Sequence, residues 1–142
     1  MQTFLPYPDF YDSHMCLDKS RLGNQVYREG LTLLNGGWGN HPVSKMWVDY
    51  KPALALYCLA GALAMKDRGW YSEEVTNRWM DRFSSVYRQL EEAIPFEYPP
   101  WLGNMQLHMS HRSNLIRKDP EWYGQFGWKV GPGWDYWWPS VC

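Results

Sequence analysis

Apolar residues recur at steps of three and four over residues 75–94, and most positions between them are polar or charged. With 3.6 residues per turn, this spacing puts the apolar positions on one face and predicts an amphipathic helix to about Ala93. Ser72 can cap its start, and Glu73 and Glu74 follow where the helix dipole favours acids. The apolar face consists of Val75, Trp79, Phe83, Val86, Leu90 and Ile94.

A second segment, residues 53–65, is apolar nearly all round, which predicts the central buried helix of the fold. We expect this helix to run from Pro52 to about Arg68 and to end at Gly69, with a short helix over residues 42–50 before it. The apolar run is too short to span a bilayer, so we expect no membrane association.

The start of the chain reads as an arm followed by a helix. Two prolines, at positions 6 and 8, predict an extended arm over residues 1–12. Asp12 or Ser13 can then cap a first helix that runs to about Asn35, where Gly36 stops it.

The second half of the chain predicts shorter helices. Residues 105–118 can form one, residues 119–121 start another turn, and the stretch from Gly127 is rich in Trp, Gly and Pro. No alternating strand pattern stands out. We therefore predict an all-α fold in one domain, residues 1–142: three main helices, short C-terminal helices, an extended N-terminal arm and an irregular Trp-rich tail over residues 129–142.

Composition narrows the class of protein. The chain has 14 Lys and Arg against 15 Asp and Glu, so any nucleic-acid surface must be a local patch. Three cysteines with no C-x-x-C pair favour a reducing compartment, and the N-terminus does not resemble a signal peptide. We expect a monomer in the cytoplasm, of a bacterium or of a virus-infected host. Motifs for ATP, dinucleotides, serine hydrolysis and zinc proteases are absent, and we expect no cofactor.

The first helix carries the most informative polar face. At about 100° per residue, Arg21, Gln25 and Arg28 share one narrow sector. Glu29 borders the apolar stripe, where partial desolvation raises the pKa of its carboxyl group and the charge of Arg28 opposes that rise. Such a glutamate suits proton transfer beside a phosphate backbone. A solvated helix face with an Arg–Glu pair remains the alternative.

A second polar cluster lies on the predicted helix over residues 105–118. Its cations could contact several phosphates, and its two histidines, three residues apart, could in principle share a metal. No Cys or carboxylate set completes a metal site, so we expect none; an ordinary solvated helix is the other alternative. The cluster consists of His108, His111, Arg112, Asn114, Arg117 and Lys118.

Two further groups have open roles. Asn40 and His41, before Pro42, can contribute to a site or simply cap the next helix. Trp122 and Tyr123 can stack on bases or pack in the core.

Three stretches together resemble the pyrimidine-dimer glycosylase family of endonuclease V type, and its short bacterial and viral relatives. They are Met1-Gln2-Thr3-Phe4-Leu5-Pro6; Tyr27-Arg28-Glu29-Gly30-Leu31 with the later Asn40-His41-Pro42; and Ser110-His111-Arg112-Ser113 with Asp119-Pro120-Glu121-Trp122-Tyr123. These anchors span residues 1 to about 128 and leave the Trp-rich tail uncovered.

The resemblance implies a cofactor-independent DNA glycosylase with AP-lyase activity on damaged or modified double-stranded DNA. Met1 would supply the α-amine that attacks the sugar, since the bulk of Gln2 should block removal of Met1, and Glu29 would be the acid/base. An α-amine has a reference pKa of about 8, so a useful fraction is neutral at physiological pH. Trp122 and Tyr123 would contact the lesion. The expected DNA contacts are Arg21, Gln25, Arg28, Asn40, His41, His108, His111, Arg112, Asn114, Arg117 and Lys118.

Three other functions stay open at this point. A glycosylase of the same kind could act on a different modified base. A non-catalytic nucleic-acid-binding module could use the same basic cluster, and a protein-interaction domain could use the aromatic residues as its contact surface.

Overall fold

A computed structural model describes residues 2–139, which contain helices and no β-strand. The predicted all-α class is therefore confirmed. In chain order the elements are α1 (Phe10–Met15), α2 (Lys19–Asn24), a π-helical segment (Gln25–Gly30), α3 (Leu31–Leu34), α4 (Pro42–Trp47), α5 (Lys51–Arg68), α6 (Glu73–Ala93), α7 (Met105–Lys118), α8 (Pro120–Tyr123) and a 3₁₀ turn (Gly124–Phe126).

Helix α5 is the central helix, as its all-round apolar sequence predicted. It packs against α6, α1 and the π-helical segment, and Leu54 and Tyr57 are fully buried. Burying one such side chain stabilises the fold by about 2 kcal/mol. Gly69 ends the helix with φ +71°, a left-handed conformation that glycine adopts without steric cost. None of the helices in residues 2–139 is long and apolar enough to cross a membrane.

Helix α6 also forms as predicted. The Ser72 hydroxyl accepts a hydrogen bond from the Val75 N–H at 3.2 Å and so caps its start. Phe83 is fully buried and stacks on Trp79, which fixes the apolar face against α5.

The single first helix predicted over residues 13–35 is wrong. Asp9, rather than Asp12 or Ser13, caps α1, because its carboxylate accepts from the Asp12 N–H at 2.8 Å. After Met15 the chain turns so that Leu17 enters the core, and a second helical stretch starts at Lys19. That stretch passes from α-helix into a π-helical turn before α3.

Two irregular segments pack against α7 from either end of the chain. The N-terminal arm, residues 2–9, is buried over residues 2–6. The C-terminal tail, residues 127–139, contains no helix, and its backbone is bonded to side chains of α7. The Ser110 hydroxyl accepts from the Trp137 N–H at 3.1 Å, and Asn114 donates to the Trp134 carbonyl at 3.0 Å.

Candidate functional site

Side chains from several helices hold the backbone of the N-terminal arm. The Gln25 amide donates to the Gln2 carbonyl at 2.8 Å and accepts from the Phe4 N–H at 2.9 Å. The Tyr57 hydroxyl lies 2.7 Å from the Phe4 carbonyl oxygen and also 2.7 Å from Gln25 Oε1. Buried backbone groups need such partners, so this network fixes where the arm runs.

Two buried histidines of α7 hold Leu5 from both sides. His111 Nδ1 accepts from the Leu5 N–H at 2.8 Å, whereas His108 Nδ1 lies 2.7 Å from the Leu5 carbonyl and must donate to it. His108 Nε2 accepts from the Gly103 N–H at 2.9 Å. These bonds assign a neutral ring to both histidines. Burial lowers the pKa of His108, and burial together with His108 lowers the pKa of His111 to about 3.

Several residues predicted as DNA contacts are buried in the folded chain, and their contacts with DNA stay predictions. His108, His111, Asn114 and Gln25 are at most 3% exposed, and each binds the arm or the tail through at least one polar atom. His111 Nε2 has no hydrogen-bond partner among residues 2–139. Spacing along α7 could not reveal this, because the pattern does not say which polar face meets another segment of chain. Arg112 is half-buried, donates to the Pro6 carbonyl at 2.8 Å and lies over the Tyr7 ring.

A cavity of about 240 Å³ opens beside the start of the arm. Gln2 and Phe4 line it from the arm, and Glu29 lines it from the π-helical segment. The other lining residues are Arg21, Asn24, Gln25, Lys118 and Tyr136. Residues far apart in sequence thus meet around one polar space, which we call the Glu29 cavity.

Glu29 is half-buried, and its Oε2 atom has no hydrogen-bond partner among the described residues. Burial raises the pKa of its carboxyl group, and the positive charge of Arg28 opposes that rise. The effect of burial and the opposing effect of Arg28 on this pKa, both expected from the sequence, are confirmed. Gln2 Nε2 is a second buried polar atom without a partner in residues 2–139. An unpaired donor and an unpaired acceptor on one cavity are costly unless a ligand or water satisfies them.

The π-helical turn explains why Glu29, and not Arg28, lines the cavity. A π turn bonds residue i to i+5 and so takes more residues per turn than an α-helix, which moves the cavity-facing position onward. Arg28 is exposed and outside the cavity lining. Gly30 allows the turn to pack against α5, because a Cβ at this position would lie 2.5 Å from Cys58 Sγ.

Positive charge gathers around this cavity: Arg21 and Lys118 line it, and Arg117 is next to Lys118 in the chain. We call Arg21, Arg117 and Lys118 the cationic rim. Burial lowers the pKa of Lys118, and the charges of Arg117 and Arg21 add to the effect. Arg117 and Lys118 are exposed, and Arg21 is ion-paired with Asp18 at 3.1 Å. Arg117 and Lys118 come from the basic cluster predicted on α7, and Arg21 comes from the polar face predicted on the first helix.

Sequence reasoning did not assign four cavity residues to the site: Gln2, Phe4, Asn24 and Tyr136. Tyr136 comes from the irregular tail, where no periodic signal assigns a side chain to any face. Burial raises the pKa of the Tyr136 hydroxyl to about 12, against the opposing charges of Arg117 and Arg21. The hydroxyl is therefore protonated at neutral pH and can donate a hydrogen bond into the cavity.

The remaining predicted residues lie elsewhere. Tyr123 is fully buried with its hydroxyl bonded to Asp18, and its contact with the lesion stays a prediction. Trp122 donates its indole N–H to the Cys16 carbonyl at 2.8 Å and does not line the Glu29 cavity. Asn40 is exposed.

His41 caps α4, since its Nδ1 accepts from the Val43 N–H at 3.0 Å. Met1 lies outside the described residues. Within residues 2–139 no three His, Cys, Asp or Glu side chains are grouped to hold a metal ion.

Comparison with known proteins gives a family. The sequence model of a family described as pyrimidine dimer DNA glycosylase matches residues 1–79, more than half of the 142 residues. The matched range includes the arm, the π-helical segment with Glu29, and α5. No curated protein and no solved structure matches the chain. The chain therefore belongs to the pyrimidine dimer DNA glycosylase family, which assigns it to DNA repair with DNA as its substrate.

Proposed function

We propose that this protein excises a damaged or modified pyrimidine from double-stranded DNA and then cleaves the backbone as an AP lyase. In this proposal the α-amine of Met1 is the nucleophile and Glu29 is the acid/base. One observation carries it: the half-buried Glu29 carboxyl group, with an unpartnered oxygen, lines the same cavity as Gln2, the residue bonded to Met1.

The chemistry balances with these two groups. The neutral amine attacks C1′ while the bond from C1′ to the base breaks, and the base leaves with that electron pair and takes up a proton. A proton passes from the nitrogen to O4′ as the C1′–O4′ bond opens, which leaves a protonated Schiff base. Removal of a C2′ proton then expels the 3′ phosphate. A carboxyl group with a raised pKa can carry such protons at near-neutral pH.

The buried arm fixes the segment of chain that directly follows the proposed nucleophile. Residues 2–6 are buried, and the bonds from Gln25 to the Gln2 carbonyl and the Phe4 N–H fix the chain next to Met1. Holding a nucleophile near its target accounts for much of the rate gain in covalent catalysis. The arm and its supporting side chains therefore act as positioning elements in this proposal.

The cationic rim would hold the DNA. Arg21, Arg117 and Lys118 can bind phosphates on either side of the lesion, and exposed Arg28 and Asn40 can contact the backbone further out. Phosphate contacts release counterions and supply affinity that does not depend on sequence. A local rim of this kind is compatible with a net charge of −1.

Borohydride trapping on a duplex that contains an abasic site tests the mechanism. We expect a covalent adduct that peptide mass spectrometry maps to the Met1 amine, and no adduct after acetylation of that amine. Glu29→Gln should lower strand cleavage by a factor of roughly 10² to 10⁴. Glu121→Gln, on an exposed carboxylate outside the cavity, is the matched control.

Several outcomes would overturn the proposal. These are the lack of an adduct with the wild-type protein, an adduct that maps to an internal lysine, or normal cleavage by Glu29→Gln. Salt-dependent DNA binding that survives acetylation, without cleavage of any substrate, would identify a non-catalytic DNA-binding module instead. A panel of duplexes that carry single pyrimidine lesions would then identify the base that is excised.

A further inference from the structure

Trp38 is held in an unusual way on the loop between α3 and α4. We propose that its indole inserts into the base stack of duplex DNA beside the lesion and props open the step from which the damaged nucleotide leaves. The inference rests on the proposed function for its substrate, duplex DNA, and adds a residue that distinguishes a stacked duplex from a single strand.

The backbone of Trp38 has φ +58°, and Trp38 is the one non-glycine residue of the described chain with positive φ. A bulky side chain in this region is a steric outlier that persists only where the surroundings enforce it. Hydrogen bonds on both sides of Trp38 enforce this conformation. The Gly37 N–H donates to the Thr32 carbonyl at 2.8 Å, and the His41 N–H donates to the Trp38 carbonyl at 2.8 Å.

The same turn is tied to α4, because the Ser44 hydroxyl donates to the Gly37 carbonyl at 2.9 Å. The indole therefore projects from a fixed point and not from a loose loop. Glycines occupy positions 36, 37 and 39, so no neighbouring side chain crowds it. A Cβ added at Gly36 or Gly39 would meet nothing within 4 Å, which confirms open space on both sides of the turn.

The Trp38 side chain is 48% exposed, more than any other tryptophan of the chain. Trp134 follows at 44%, and the other tryptophans are buried or half-buried. Trp38 makes no aromatic contact within residues 2–139, and it is not part of the apolar core. A strained backbone that presents a large apolar ring to water is costly, which points to a partner that covers the ring.

The position of the turn identifies that partner. His41 closes the turn, and its ring meets Trp138 edge-on with centroids 5.8 Å apart. Trp138 in turn packs against Tyr136, which lines the Glu29 cavity. A chain of contacts thus connects the Trp38 turn to the wall of the cavity. DNA whose damaged nucleotide enters that cavity continues past its rim as stacked bases, and a stacked step is the apolar surface an indole fits.

The physical benefit is known from proteins that bend DNA. An apolar side chain placed between base pairs partly unstacks them and kinks the duplex. Extruding a nucleotide requires unstacking, and a rigid wedge that fills the gap lowers that cost. A single strand has no such stack to open, so the wedge should matter for duplex substrates alone.

The test uses variants that remove the ring without adding strain. Asparagine and glycine both accept positive φ, so Trp38→Asn and Trp38→Gly should fold with unchanged or higher melting temperature. Trp38→Phe keeps a stacking ring. Tyr98→Ala is the control, since Tyr98 is 57% exposed and lies against Phe10 and Phe96, away from the Glu29 cavity.

Two substrates are compared, an abasic duplex with 2-aminopurine next to the abasic site and the same strand alone. We expect Trp38→Asn and Trp38→Gly to lower duplex affinity by roughly 5- to 150-fold, the range that base–aromatic stacking spans. They should also abolish the change in 2-aminopurine fluorescence on binding. Trp38→Phe and Tyr98→Ala should stay near wild type, and borohydride trapping on the single strand should be unchanged in all variants.

Duplex affinity within twofold of wild type for Trp38→Asn would overturn the inference. So would weaker duplex binding with an unchanged fluorescence signal, or an equal loss on the single strand, because both describe a surface contact without insertion. If the wild-type protein binds duplex but forms no borohydride adduct, the lyase proposal fails, while the affinity and fluorescence comparison still decides the role of Trp38.

Discussion

His111 accepts a hydrogen bond from the backbone N–H of Leu5 through Nδ1, at 2.8 Å and with no exposure to solvent. Accepting at this nitrogen requires an unprotonated Nδ1, so the bond exists only while the ring is neutral. The hydrogen bond between His111 and the N-terminal arm therefore depends on pH.

Stability should therefore fall as the solution becomes acidic. Burial holds the pKa of His111 at about 3 and that of His14 at about 4 in the folded chain, against about 6.5 when unfolded. Between these pKa values the unfolded chain binds more protons than the folded chain. The contribution of these histidines to the free energy of unfolding is therefore complete above about pH 6.5 and decreases as the pH falls. Each histidine contributes up to about 1.4 kcal/mol per pH unit in this window.

Urea unfolding at pH 7.5, 6.0 and 5.0 measures this slope. His111→Asn keeps an acceptor for the Leu5 N–H but cannot titrate, so its stability should depend less on pH than that of the wild type. Equal slopes for the two proteins would show that His111 does not set the acid sensitivity.

Gln25 is predicted to matter for catalysis through the arm. Gln25→Leu leaves the Phe4 N–H and the Gln2 carbonyl without their side-chain partner in a buried region. Each such group costs about 1–3 kcal/mol, so we expect the free energy of unfolding to fall by roughly 2–6 kcal/mol. A less fixed arm should also lower kcat more than it raises KM.

Chemical unfolding and single-turnover cleavage measure the two effects of Gln25→Leu. Gln106→Leu, at an exposed glutamine of α7, is the matched control and should change neither. A loss of stability with unchanged kcat would mean that Gln25 has a structural role alone.

Periodicity determined most of the fold in advance because it reports burial directly. The all-apolar run around Leu54 and the spaced stripe around Phe83 gave α5 and α6 close to their observed bounds. The break after Met15 was not predictable, since it depends on a competing cap from Asp9 and on the burial of Leu17, which is a tertiary choice.

The candidate site was predictable from the sequence only in part. Spacing places Glu29 at the border of an apolar stripe, and the family resemblance assigns it the acid/base role. Its position on the cavity side in place of Arg28 depends on a π turn that has no sequence signal. The sequence predicts that His108 and His111 face DNA or solvent, because nothing in a helical pattern reveals that the N-terminal arm covers them. Tyr136 lines the cavity from the C-terminal tail, whose sequence has no hydrophobic periodicity that would assign its side chain to a face.

The cationic rim should govern the salt dependence of DNA binding. Arg117→Ala and Lys118→Ala should each weaken binding to any duplex sequence, and each should reduce the slope of log K against log[salt] by about 1. Fluorescence anisotropy titrations at salt concentrations between about 50 and 200 mM measure this slope. Arg88→Ala, an exposed arginine on α6, is the control. A slope unchanged by the rim variants would place the phosphates elsewhere.

Gly30 is predicted to be the residue that allows the π turn to pack against α5. A Cβ at this position would lie 2.5 Å from Cys58 Sγ and 2.9 Å from the Gln25 carbonyl oxygen. Gly30→Ala should therefore push the turn away from α5 and lower the free energy of unfolding by about 1–3 kcal/mol. Because Glu29 precedes it, strand cleavage should fall as well.

The Gly30 prediction can be separated from a general effect of alanine. Cys58→Ala removes the sulfur from the collision, so the double variant Gly30→Ala with Cys58→Ala should recover part of both stability and cleavage, a coupling that a double-mutant cycle measures. The contact with the Gln25 carbonyl remains, which limits the recovery. Gly124→Ala is the control, since a Cβ there would meet nothing within 4 Å. Purely additive losses in the double variant would mean that the turn does not depend on close approach to Cys58.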